Sequence, residues 1–198
     1  MEFEQHASVI SASGDTLGHL ARVVLKPASN EITHIVVRTG SLFTEEKVVP
    51  IEMVALARHE RIWLRQTAGD LDELPCFEDK QIVERDEGAD PAPVVISQPL
   101  AGLTGAYVAE PVERLVTRVV QHIPEGTVAL KEGARVTTPE GKHLGKVTRI
   151  IVEPETDQAT YLLVSTGLLP RNKRLIPMAR VTIRGEAEVR LAAGARPA

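Results

Sequence analysis

The chain has 198 residues, 43% of them hydrophobic and 25% charged, with 23 Lys and Arg against 27 Asp and Glu. That apolar content builds cores and excludes global disorder, while aromatics at 3% leave those cores to Val, Leu and Ile. Cys76 is the single cysteine, which excludes an internal disulfide and fits a reducing compartment. No stretch approaches the ~18 uninterrupted apolar residues of a membrane span. The opening Met-Glu-Phe-Glu-Gln-His has neither a basic nor an apolar run, so no signal peptide is expected and a cytoplasmic location is.

In chain order, Ser13-Gly14-Asp15 makes a turn and residues 17–26 read as a long strand rich in branched side chains. Pro27-Ala28-Ser29-Asn30 reverses the chain into a second strand over 32–38, since Pro presets φ and Asn tolerates the left-handed region. A four-residue turn sets Leu20 against Val37 and Val24 against Thr33. Both faces of this hairpin are then largely apolar, the outer one with Ala21, Val23, Leu25, Ile32 and Val36. One face lines a core and the other needs cover from the middle segment, the rest of the chain or a second copy, because monomers rarely expose large apolar patches. After Thr39-Gly40 come Lys47-Val48-Val49-Pro50, where Pro belongs at a strand end or edge, and two short strands near 54–57 and 61–65.

Residues 67–105 read as an acidic loop or linker, with runs such as Asp70-Leu71-Asp72-Glu73 and Glu84-Arg85-Asp86-Glu87-Gly88. Over 112–123, Leu115, Val116, Val119, Val120 and Ile123 fit one helical face, whereas four valines and the closing Pro124-Glu125-Gly126 turn favour a strand.

From residue 134 the chain repeats itself. Residues 7–64 align with 134–191 at an offset of 127 without a gap, with 15 identities in 58 positions, among them Gly18/Gly145, Arg22/Arg149, Pro27/Pro154, Gly40/Gly167 and Pro50/Pro177. Gly18 and Gly145 mark a bulge or a close backbone approach. Five or six short strands in about 60 residues is the pattern of a small barrel. The expected fold is all-β: a barrel over 1–66, an acidic linker over 67–125 with a strand near 112–123, and a second barrel over 126–194.

The shared order is a turn with Gly, Leu-Gly, a branched strand, a Pro-led hairpin turn, a second branched strand ending in Gly, and an apolar pair with Pro. This resembles the PRC-barrel domain, found in the H subunit of the photosynthetic reaction centre and, in related form, in a ribosome-maturation factor. The resemblance covers about 58 residues in each half. It implies a bacterial protein that works by binding rather than by catalysis.

Charge is unevenly spread. Lys and Arg against Asp and Glu number 7 and 8 over residues 1–66, 4 and 12 over 67–130, and 12 and 7 over 131–198. Six histidines, His6, His19, His34, His59, His122 and His143, share no ligand spacing and no counterparts between the copies, so no metal and no cofactor are expected. Cys76 has no neighbouring base to make it a nucleophile, and Gly102-Leu103-Thr104-Gly105 lacks the Lys of a phosphate loop. Arg22 and Arg149, the one charged identity, are read as packing their stems and pairing a carboxylate in each barrel. The candidate interaction residues are Arg171, Lys173, Arg174 and Arg184, the first three in a loop where the first copy has Thr44-Glu45-Glu46-Lys47. The function expected is a non-enzymatic scaffold that binds a protein partner or self-associates through barrel–barrel packing or a homodimer. The alternative is RNA or ribosome-associated binding through the basic second barrel, against which stand a net charge of −4 and few aromatics for base stacking.

Overall fold

The structure, a computed structural model, describes residues 1–40, 44–58, 60–84, 115–166 and 172–192. Residues 1–78 and 121–198 form one compact unit and residues 79–120 another. The second unit, as described, is a two-stranded sheet of β8 (Glu78–Glu84) with β9 (Leu115–Gln121).

The first unit contains two sheets of seven strands each. One runs β5 (Glu45–Pro50), β4 (Glu31–Thr39), β3 (Thr16–Lys26), β2 (Ser8–Ile10), β7 (Arg61–Leu64), β6 (Val54–Arg58). The other runs β14 (Lys173–Pro177), β13 (Ala159–Thr166), β12 (His143–Val152), β11 (Arg135–Thr137), β16 (Glu188–Leu191), β15 (Val181–Ile183). Strand for strand the two orders are the same. Each sheet then takes its seventh strand from just before the other copy. β1 (Glu2–Glu4) pairs with β12, and β10 (Val128–Lys131) pairs with β3. Glu4 lies opposite Arg149 and Lys131 opposite Arg22, so the exchanged strands are themselves equivalent at the 127-residue offset. A division at 66 and 126 therefore cuts through pairing that the structure shares between the halves.

The hairpins carry matched irregularities. Leu20 pairs with Val37 as the turn dictates, but Val24 pairs with His34 rather than Thr33. An extra residue on β3, Ala21, shifts the register, and Thr33 on β4 restores it before Leu25 meets Ile32. The second hairpin does the same at Thr148 and Thr160. Thr33 Oγ1 donates to Val24 O at 3.5 Å and Thr160 Oγ1 to Ile151 O at 3.2 Å, so the hydroxyls occupy acceptors that the bulge leaves over. At Gly18 and Gly145 an added Cβ would stand 2.0 Å from the carbonyl oxygens of Arg38 and Ser165. Close backbone approach is thus the reason for both glycines. Pro50 and Pro177 end their strands, where a missing N–H costs no ladder bond, and each opens a single 3-10 turn, Ile51–Met53 and Met178–Arg180.

The register shift reassigns side chains between faces. Leu20, Val23, Leu25, Ile32, Ile35, Val37 and Val49 enter one core that continues through Val147, Ile150, Leu162 and Val164 of the second sheet. Phe3 of β1 and Leu130 of β10 lie in it as equivalents. Ala21, Val24, Val36 and Val48 point the other way, into a second cluster closed by Phe77 and Ala129.

Residues 67–78, assigned by composition to a linker, are built into the first sheet instead. Thr67 and Asp70 cap a short helix, α1 (Ala68–Asp72), through reciprocal hydrogen bonds. Pro75 and Phe77 then lie along the edge of β5. Val48 N donates to Pro75 O at 3.0 Å, Phe77 N donates to Glu46 O at 2.6 Å, and Lys47 and Cys76 form an antiparallel bridge.

Candidate interaction face

The outer faces of the two sheets differ at equivalent positions. On the first, Arg22 and Val24 of β3, Val36 of β4, and Glu46 and Val48 of β5 form a strip that Phe77 covers. Phe77 is fully buried, and the Arg22 guanidinium lies 4.4 Å from its ring centroid. Arg22 Nε donates to Glu46 at 3.2 Å and its Nη1 to Glu186 at 2.5 Å. Glu46 also takes Arg38 Nη2 at 2.7 Å. Burial raises the Glu46 pKa, but hydrogen bonds from Arg38 and Arg22 outweigh it and hold the carboxyl below its ordinary value. Lys47 Nζ donates to the carbonyls of Asp72 and Leu74, both at 3.2 Å, and pins the covering segment.

On the second sheet the equivalent positions are Arg149, Ile151, Leu163, Lys173 and Leu175, with Tyr161 at the place of His34. Leu175 is 53% exposed where Val48 is 3% exposed, and Tyr161 is 40% exposed. β14 ends the strand order, and among the described residues no segment lies along it as Pro75–Phe77 lies along β5. Arg149 gives its two Nη groups to Glu2 at 2.7 Å and Glu4 at 2.5 Å, and the Glu4 hydrogen bond foremost keeps the guanidinium charged. Its Nε is buried and has no hydrogen-bond partner among the described residues. The cause is visible in the sequence: Glu46, which serves Arg22 Nε, is replaced at the equivalent position by Lys173.

The structure divides the sequence-predicted candidates. Lys173 and Arg174 lie exposed on β14 beside Leu175. Arg184 is exposed just beyond β15, five strands away in the order, so it does not join them. Arg171 lies outside the described residues. Sequence reading missed Leu175 and Tyr161, although their alignment with the edge strand and hairpin of the first copy was available. It also missed Phe77 as a covering residue, for which Leu74-Pro75-Cys76-Phe77 was the apolar signal within an acidic stretch.

A crevice of about 20 Å³ between the sheets, lined by the equivalent pairs Phe3/Leu130, Leu20/Val147 and Val23/Ile150, holds no more than a water. Among the described residues no group of three or more His, Cys, Asp or Glu could hold a metal ion. No helix there is long and apolar enough to cross a membrane.

Comparison with curated proteins finds no match. Residues 132–190, running from just before β11 into β16 and including β14 with its exposed apolar face, match the family model of the PRC-barrel domain.

Proposed function

We propose that this chain is a non-enzymatic protein-interaction module built from two PRC-barrel copies, with the outer face of the second sheet as its binding surface. One observation carries this reading: the strip that Phe77 covers on the first sheet recurs on the second with Leu175 and Tyr161 exposed. Apolar strips on a sheet edge are docking surfaces or liabilities. The cations of β14 support a second reading, in which Lys173 and Arg174 contact RNA phosphates.

A photo-crosslinking residue at position 175 in the full chain, in its native cell, separates the two. The protein-binding reading expects a discrete protein adduct at 175 and none from the same group at Leu56, which is exposed on β6. RNA adducts at 175, weakened by salt and by Lys173→Ala with Arg174→Ala, would establish the second reading instead. Absence of any adduct specific to 175 removes this face as the functional surface.

A further inference from the structure

We infer that β14 of the second sheet takes an extended acidic peptide carrying an aromatic side chain, added as a strand in the manner of Pro75–Phe77 on β5. This rests on the protein-binding reading above and names the chemistry of the partner.

The first sheet supplies the template within the same molecule. There the added strand uses two edge hydrogen bonds, Val48 N to Pro75 O and Phe77 N to Glu46 O. It also places one aromatic ring over Val24, Val36 and Val48. Backbone bonding supplies affinity in such strand addition, and alternate side chains supply specificity. The equivalent edge groups on β14 are Leu175 N and Lys173 O, and the equivalent floor is Ile151, Leu163 and Leu175. The aromatic would sit beside Arg149 as Phe77 sits beside Arg22.

Charge decides what surrounds the ring. Position 173 is Lys where position 46 is Glu, and Arg174 follows it on the open edge. The orphaned Arg149 Nε lacks the carboxylate that Glu46 gives Arg22. A carboxylate arriving with the partner meets Lys173 at the place where Glu46 stands on the first sheet. A second copy of this chain is a poorer occupant, since pairing two β14 edges gathers four cations on one shared sheet.

The test uses the intact chain and a fluorescent peptide of residues 70–79 with Cys76→Ser, which carries the acidic flanks and the Phe of the internal template. Saturable binding is expected, read by anisotropy, with amide shift changes concentrated on β13 and β14. Phe→Ala in the peptide, Leu175→Asp in the protein, and Lys173→Glu with Arg174→Glu should each weaken it at least tenfold. Leu175 and both cations are exposed, so unchanged melting temperatures will show that these variants stay folded. Val48→Ala should weaken it far less, because that site is already filled. No saturable binding, binding indifferent to the Phe or to Leu175, or a dimer through β14 in place of peptide binding would each overturn the inference. If the peptide fails while crosslinks from position 175 still reach a protein, the partner chemistry is wrong and the protein-binding reading stands.

Discussion

Arg149 Nη2 lies 2.5 Å from Glu4 Oε2, and the two residues are direct cross-strand partners although 145 positions separate them. Their counterparts at the 127-residue offset, Arg22 and Lys131, are also cross-strand partners but carry like charges. Arg22 therefore turns to Glu46 of its own sheet and to Glu186 in the connection between β15 and β16. Both arginines tie one half to the other, with different carboxylates. Replacing Glu4 by Gln should destabilise the fold by about 1–3 kcal/mol, the range for losing a charged hydrogen-bond partner. Chemical denaturation will read this as a lower midpoint, and no change would show that Glu2 alone satisfies Arg149.

Glycine substitutions separate close approach from ordinary flexibility. Gly18→Ala and Gly145→Ala force a Cβ to within 2.0 Å of a backbone carbonyl oxygen, which no side-chain movement relieves. Each should cost at least about 2 kcal/mol, in the range of overpacking and strain. Gly69→Ala, in helix α1 with nothing within 4 Å, should be neutral or stabilising by up to about 1 kcal/mol. Thermal melts of the three variants give the ranking, and equal effects at 18 and 69 would refute the steric account.

Removing the ring of Phe77 uncovers Val24, Val36 and Val48. Phe77→Ala should cost about 3–5 kcal/mol, as for other fully buried aromatics. The loss should appear locally too. The backbone of Cys76 is held by its bridge to Lys47 and by His122 Nδ1 at 2.9 Å from its carbonyl, so thiol alkylation should quicken in the variant below its melting point. An unchanged alkylation rate would mean that the segment stays docked without its aromatic anchor.

Two groups should bend the pH dependence of stability in opposite directions. Burial lowers the pKa of His34 from the usual 6.5, with Glu52 opposing in part. The unfolded chain therefore binds more protons, and this stability is present above pH 6.5 and lost as pH falls through the lowered value. Burial raises the pKa of Glu132 above its usual 4.5 despite the His6 backbone hydrogen bond and charge. The folded state then holds the proton longer, so its contribution falls as pH rises from 4.5 through the raised value. His34→Gln should flatten the acid-side loss of stability, and Glu132→Gln should steepen it while stabilising the protein at neutral pH. Denaturation midpoints between pH 5 and 8 check both signs, and parallel profiles for the two variants would contradict them.

The long hairpin strands, the turns between them, the proline-terminated edge strands and the all-β class follow from the local order of residues. Pro27 and Asn30 fix a turn through their own backbone preferences, and branched runs choose the strand over the helix. Gly18 and Gly145 were legible as a bulge or a close backbone approach, and the structure has both: a register shift beside each glycine and a backbone carbonyl oxygen where a Cβ would stand. The pairing of Val24 was not legible. The bulges at Ala21 and Thr33 depend on what lies on both faces of the sheet, and a one-residue shift exchanges those faces. Nor could the sequence show that β1 joins β12 and β10 joins β3, since a three- or four-residue strand has no turn to specify its partner. Tertiary structure decided that exchange by burying Phe3 and Leu130 in a common core. It likewise decided that Phe77 leaves an acidic stretch to cover the first sheet, while Leu175 stays exposed on the second. Val48 and Leu175 are equivalent and both apolar in the sequence, and what separates them among the described residues is whether a neighbouring segment reaches the edge beside them.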